Sequence, residues 1–445
     1  MTSSSVRFDA IVVGTGPGGA SAARELARAG SRVLILEQGG AAPLTGTVTQ
    51  MAAMAAVPGR AAFIHRDASL LVGGATLGGS SAVNFATAAA PPRALFAAYG
   101  IDLEPALNEL RAELPMAPLP DNLVGPMATR IAQAARAAGF DWRKLDKMIR
   151  PQICRSGCWR CAYGCPFGAK WSARDFVDEA LRHGAVVQPN SRVTRVLFEA
   201  GRAAGVELKR DGKLETVRAP LVILAGGGVG SPRILHASNL APRHAPFFSD
   251  PVVAVMGTVD DLGDAIGGAE VPMAAGMHDV QAGIALADLT LPRPMYQAFT
   301  AQVGRIDRLL AHRRTLSIMV KIRDDIGGRI GPRWADKRLT DADRARLQQG
   351  ETMARAILAQ AGAHHVFRSW HFAAHPGGSV RIGAGVDANL QTGAPGLFVC
   401  DASVIPEPWG LPPTVTLLCL GKRLGQYLMA SSLRGGLVSN AGAAR

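Results

Sequence analysis

Residues 8–37 constrain this chain more than any other stretch. A short, mostly apolar run, Phe8 to Val13, meets Gly14-Thr-Gly16-Pro-Gly18-Gly19. Ala20 to Ala29 follows as a good helix former, and then Ser31-Arg-Val-Leu-Ile-Leu-Glu37. The order is strand, glycine turn, helix, strand, acid. Gly14, Gly16 and Gly19 permit a tight turn and let backbone approach a pyrophosphate. The start of the helix presents free N–H groups and the positive end of its dipole to the same place. Glu37 ends the second strand, where a carboxylate can accept from ribose hydroxyls. A glycine triplet alone is weak evidence; here the strand, helix and acid that the motif demands flank it on both sides. The expectation is a βαβ unit that binds a dinucleotide. NAD and FAD both use such a unit, and the acid does not separate them.

The chain as a whole has an ordinary globular composition: 445 residues, 48% hydrophobic and 19% charged. That length suggests roughly two to three domains. No run reaches the roughly 18 apolar residues of a membrane span, and no apolar signal core precedes the first strand. A cytoplasmic, reducing setting is expected. The formal charge is +13, from 48 basic and 35 acidic residues. The basic residues are spread out and no recognition motif accompanies them, which argues against nucleic acid. An arginine-rich solvated surface is the plain explanation. The sharper one is attraction to an acidic redox partner, or peripheral contact with an anionic membrane.

Further motifs are more specific. Val72-Gly-Gly-Ala-Thr-Leu-Gly78-Gly79-Ser80-Ser81-Ala-Val-Asn84 is a second glycine turn. The run from Arg192-Val193 to Glu207 reads as two strands joined by a turn, and Ala219 to Ala225 leads to a third glycine turn at Gly226. Near the end come His375-Pro-Gly-Gly-Ser-Val-Arg-Ile-Gly383 and Leu397-Phe-Val-Cys-Asp401-Ala402-Ser-Val-Ile-Pro406. Leu411-Pro412-Pro413-Thr414-Val-Thr416 then opens a last helix, expected over Leu417 to Met429. In content, order and spacing these motifs resemble the FAD-dependent oxidoreductases of the glucose-methanol-choline (GMC) family, over roughly residues 8–90, 185–235 and 370–430.

The resemblance implies an α/β fold. A Rossmann-like FAD-binding domain of the GMC type would take residues 1–90, 185–238 and 386–432. A smaller α+β substrate domain with an antiparallel sheet would take 239–385, and an insert 91–184. FAD would lie against Gly14, Gly16, Gly19, Glu37, Gly79, Ser80, Asn84, Val193, Ala225, Asp401, Ala402, Pro413 and Thr414. The reaction would oxidise an alcohol to a carbonyl by hydride transfer to flavin N5. His375 would be the base, since imidazole titrates near neutral pH. His371 would be structural or an accessory in the pocket. One position departs from the family pattern. Where members carry Asn or His just before Pro-Thr, this chain has Pro412, which offers no side-chain donor or acceptor. The alternative is therefore a flavin-dependent reductase, or a non-redox flavoenzyme with an altered site. The apolar, Met- and Ala-rich stretch 239–300 leans towards a lipophilic or ring alcohol over a sugar.

Four of the six cysteines form the run Cys154-x3-Cys158-x2-Cys161-x3-Cys165-Pro166. Cys400 and Cys419 lie in apolar sequence and read as core residues. The spacing approaches that of ferredoxins and departs from the two separated pairs of structural zinc. A knuckle holding zinc or nothing is the plain alternative. Some GMC relatives carry a cysteine-rich insert ending Gly-Cys-Pro-x-Gly-Ala-Lys, and residues 164–170 read Gly-Cys-Pro-Phe-Gly-Ala-Lys. The resemblance implies an iron–sulfur cluster, 3Fe-4S or 4Fe-4S, that passes flavin electrons one at a time to a carrier protein. Residues 141–175 hold eight basic and three acidic residues, which suits both an anionic thiolate cluster and an acidic carrier.

Overall fold

The computed structural model describes residues 8–262 and 269–441, with side chains through residue 431. Five short strands lie parallel in the order Leu397–Val399, Leu221–Leu224, Ala10–Val13, Val33–Leu36, Val186–Gln188. The two central N-terminal strands are buried along their whole length. This is why they read as unbroken Val/Ile/Leu runs and show no alternation. Strand order reverses at Ala10–Val13, and open α/β sheets take their ligands in the crevice beyond such a reversal.

The first helix spans Pro17–Arg28, starting earlier than the alanine run suggests because proline is accommodated in a first helical turn. It packs against the last helix, which runs from Thr414 to Ala441 and so exceeds the expected Leu417–Met429 at both ends. The two approach closely: a Cβ on Gly421 would lie 2.3 Å from the Gly18 carbonyl oxygen. The Ser21 hydroxyl donates to Leu418 O across this contact, at 2.9 Å. The run 192–207 becomes two strands of an antiparallel meander, with a third, Lys213–Arg218, that its mostly polar residues concealed.

A second sheet is almost wholly antiparallel. Its centre is Pro251–Thr258 paired with Thr315–Ile322, followed by Ile284–Asp288 and Ala275–Asp279. One face carries Val253, Val255, Ile318 and Val320 into a core with the helices Pro126–Ala137 and Asp341–Gln360. The other carries Val252, Ala254, Met256 and Met319, packed with Met273, Tyr296 and Phe367. Ala62–Ile64 and Leu70–Val72 join this sheet through Phe372–Ala373, so the first ninety residues supply strands to both sheets.

Candidate active site

The first glycine turn is shaped by its own backbone. Gly14 has φ +107°, and a Cβ there would lie 2.2 Å from Ala225 O. A Cβ on Gly19 would meet Gly14 O at 2.4 Å and the Ala225 Cβ at 2.6 Å. Gly14, Gly19 and Ala225 thus form one close approach between the turn and the neighbouring strand. Gly16 differs: a Cβ there would meet nothing within 4 Å, and it caps the first helix without any side-chain hydrogen bond. Open space before an uncapped helix N-terminus is what a pyrophosphate requires. The second glycine turn abuts the first, since a Cβ on Gly79 would lie 3.0 Å from Gly16 Cα.

Thr15, which sequence reasoning passed over, joins these parts. Its hydroxyl donates to Glu37 Oε2 at 2.5 Å and accepts from Gly78 N–H at 2.9 Å. Glu37 also accepts from the N–H groups of Thr15 and Gly39. Burial pushes its carboxyl above the usual range despite these bonds. Ser80 Oγ accepts from Gly74 N–H. The Asn84 amide donates to Thr414 Oγ1 at 3.4 Å, linking the second glycine turn to the start of the last helix beside Pro413. Asp401 accepts from Gly227 N–H and the Ser231 hydroxyl through one oxygen, and from Ser403 N–H through the other. Ala402 O accepts from Gly378 N–H, fastening the His375 motif to the Asp401 turn. Val193 is buried in the meander's first strand.

His375 lies at the end of the second sheet. Lys321 Nζ is 2.8 Å from its Nδ1, and Asp250 Oδ2 is 3.3 Å from the same nitrogen. Lys321 and Asp250 form an ion pair at 2.8 Å, with side chains only 2% and 3% exposed. Burial lowers the His375 pKa, and the Lys321 charge lowers it further, against the opposing pull of Asp250. Burial alone would raise Asp250, but Lys321 and His375 hold it below the usual carboxylate range. Behind this trio, Asp324 accepts from Ser249 N–H and Asp250 N–H and pairs with Lys337 at 2.7 Å. Two buried ion pairs in series therefore fix the residue that orients the histidine ring. Lys321, as an ammonium, calls for a lone pair on Nδ1, whereas Asp250, as a carboxylate, calls for a hydrogen there, so the two contacts favour opposite ring tautomers. His371 turns elsewhere: its Nε2 pairs with Asp67 at 3.4 Å, and among the described contacts it does not join this network.

All six cysteines are free thiols. Cys400 and Cys419 are fully buried in the core of the parallel sheet, as expected. Cys154, Cys158, Cys161 and Cys165 line a single cavity together with Lys170 and Arg155. Burial pushes the Cys154 thiol up to about 11 and raises Cys161 as well. Such thiols are poor nucleophiles unless a metal displaces their protons. Among the described residues, no three His, Cys, Asp or Glu side chains converge as a site for a metal ion. No described helix is long and apolar enough to cross a membrane.

Sequence reasoning missed Lys321, Asp250, Lys147 and Lys170. One signal was present: Lys321 is a lone charge inside the run Leu316-Ser-Ile-Met-Val-Lys-Ile322, at a position a strand this apolar would bury. Comparison with known proteins agrees with the geometry. The family model described as GMC oxidoreductase matches residues 8–267, and a second of the same description matches 329–421. An uncharacterised GMC-type oxidoreductase of Mycobacterium tuberculosis is 28% identical, covering 95% of this chain and 76% of the relative. A long-chain-alcohol oxidase of Arabidopsis thaliana is 24% identical over 95% of this chain and 67% of its own. Among solved structures, pyridoxine 4-oxidase from Mesorbium loti superposes with a TM-score of 0.72 at 18% identity, covering 95% and 99% of the two chains. Formate oxidase of Aspergillus oryzae gives 0.70 at 17% identity, covering 96% and 98%. With its Rossmann-like FAD-binding fold, antiparallel second sheet and match over most of its length, this chain belongs to the GMC oxidoreductase family.

Proposed function

We propose that this protein is an FAD-dependent dehydrogenase that oxidises an apolar alcohol to a carbonyl, with His375 handling the hydroxyl proton. The observation that carries this reading is the buried Asp250–Lys321 pair gripping Nδ1 of His375. A histidine held so firmly by one ring nitrogen is oriented to work through the other. FAD, bound across Gly14, Gly16, Gly19, Glu37, Gly79, Ser80, Asn84, Val193, Ala225, Asp401, Ala402, Pro413 and Thr414, would supply the hydride acceptor. For oxidation, Nδ1 carries its hydrogen towards Asp250, and Nε2 takes the alcohol proton. Asp250 then stabilises the resulting imidazolium. The apolar, Met- and Ala-rich stretch 239–300 leans the substrate towards a lipophilic or ring alcohol over a sugar. His371 serves as a structural neighbour of Asp67. This reading keeps the FAD-binding domain at 1–90, 185–238 and 386–432, the insert at 91–184 and the substrate domain at 239–385, except that the strands Ala62–Ile64 and Leu70–Val72 go with the second sheet.

The four cysteines support the second half of the proposal. We assign Cys154, Cys158, Cys161 and Cys165 as ligands of an iron–sulfur cluster, which would supply one-electron acceptance on the way to an acidic carrier protein. Four thiols lining one cavity, at a spacing close to that of ferredoxins, support this assignment. Free thiols throughout fit a reducing, cytoplasmic setting.

The shorter Lys321 contact favours a second reading. A ring with its proton on Nε2 donates, which suits protonation of a carbonyl in a reductase. Anaerobic mixing of the holoprotein with a panel of primary, secondary and ring alcohols tests both. Bleaching of the flavin absorbance by an apolar alcohol is the expected result. A flavin that no alcohol bleaches, but that returns electrons to a carbonyl after chemical reduction, would favour the reductase.

A further inference from the structure

Two lysines that the proposed mechanism does not use lie between the second glycine turn and the cysteine loop. A short backbone ladder holds them there. Met148 N–H donates to Ala86 O at 2.8 Å, and Trp171 N–H donates to Met148 O at 2.9 Å. On this ladder Lys147 is wholly buried and Lys170 is 5% exposed. Lys147 Nζ donates to Phe85 O at 2.5 Å, Pro272 O at 2.9 Å and Met273 O at 3.2 Å. Lys170 Nζ donates to Ser81 O at 2.9 Å, Ala82 O at 2.8 Å and Asn84 O at 3.1 Å. Each ammonium thus fills its three N–H groups with carbonyls, and among the described contacts neither makes a carboxylate ion pair. A neutral donor meets the same carbonyls without the cost of burying an ion. A positive charge kept here calls for a negative partner.

For Lys147 one such partner is the buried Asp288; the cysteines are the partner the two lysines share. Lys170 lines the cavity shared by all four. Cys161, Asp288 and Cys154 bear electrostatically on Lys147, and Cys161 and Cys165 on Lys170. Burial draws both ammonium groups down to about 8, against the opposing pull of these negative neighbours. We propose that Lys147 and Lys170 form a buried cationic layer that ties Ser81–Phe85 to the cysteine loop and raises the reduction potential of the cluster held there. The proposal rests on the iron–sulfur reading above. A thiolate-bound cluster gains negative charge on reduction, and a fixed cation beside it favours the reduced form. The same lysines hold the carbonyls of the segment that contains Asn84, so they are positioning residues for both cofactor sites.

The test is a redox titration, followed by electron paramagnetic resonance, of anaerobically purified holoprotein. Lys147→Gln and Lys170→Gln keep a donor for the carbonyls and remove the charge; Lys147→Arg and Lys170→Arg keep the charge. Each Gln variant is expected to shift the one-electron reduction equilibrium of the cluster at least tenfold towards the oxidised form, about 59 mV. The Arg variants should titrate near wild type, with iron, sulfide and FAD retained. Iron-replete Gln variants with the wild-type midpoint would overturn the proposal, as would Arg variants shifted as far as Gln. Where a Gln variant fails to load its cluster, the Arg variant decides: a wild-type midpoint supports the charge and a large shift refutes it. Wild-type protein without iron and acid-labile sulfide would remove the cluster itself, a result seen before any variant is made.

Discussion

The glycine turns and the His375 network are both built from close contacts, but of opposite kinds. At Gly14, Gly19 and Gly79 the site is made of missing side chains, so that backbone comes close to neighbouring atoms, and at Gly16 the space beyond the backbone stays open. At Asp250, Lys321 and His375 the site is made of side chains that meet from three different strands or turns. The first kind is fixed by local sterics and tolerates almost no substitution. The second is fixed by the register of a sheet, and its chemistry is tuned by charge and burial. If the contrast is right, the two regions should fail in different ways when disturbed.

The largest effect belongs to the turn. Gly14→Val places a branched side chain at φ +107° against Ala225 O, and should abolish FAD binding. Protein purified with a full flavin spectrum would break the comparison at its first term. His375→Ala should do the reverse. Flavin content stays near one per chain, while anaerobic flavin reduction by substrate slows by roughly 10²–10⁴-fold, the usual range for loss of a general base. Unchanged kinetics would move the base elsewhere, with His371 the next residue to replace.

Asp250→Asn leaves Lys321 buried at 2% exposure without its counter-ion. Removing one partner of a buried pair costs about 3–5 kcal/mol, so the urea midpoint should fall clearly while the slope of the transition holds. A midpoint like wild type would mean that the pair is less isolated from water than its burial implies. Lys321→Met should give the smallest and most informative change. The His375 pKa is held down by burial and then by Lys321. Base catalysis needs the neutral ring, so the rate rises with pH through that pKa. Without the Lys321 charge, and with Asp250 still beside the ring, the pKa rises and the limb moves to higher pH. The other charged groups facing the trio, Asp324, Lys337 and His278, remain in place. A limb that does not move would show that Lys321 acts on position alone.

Much of the FAD half was legible because its constraints are local in the chain. Gly14 and Gly19 announce themselves within a few residues of the strand and helix they join. The polar strand Lys213–Arg218 was not legible, since its pairing with Arg202–Arg210 owes little to a hydrophobic pattern. Lys147 and Lys170 were counted in the basic stretch 141–175 with no sign that they are buried, and both are. Nothing in residue type says that a lysine will find three carbonyls from another segment.

The sequence by itself determined the βαβ unit, its open helix N-terminus and the grouping of four thiols, because each depends on residues a few positions apart. Only the tertiary structure decided that Lys321 and Asp250 grip His375, and that Thr15 joins Glu37 to Gly78. It alone placed two buried ammonium groups between the glycine turn and the cysteines. Those contacts cross long stretches of chain. Their geometry follows from how strands pair and sheets pack, which no short window of sequence contains.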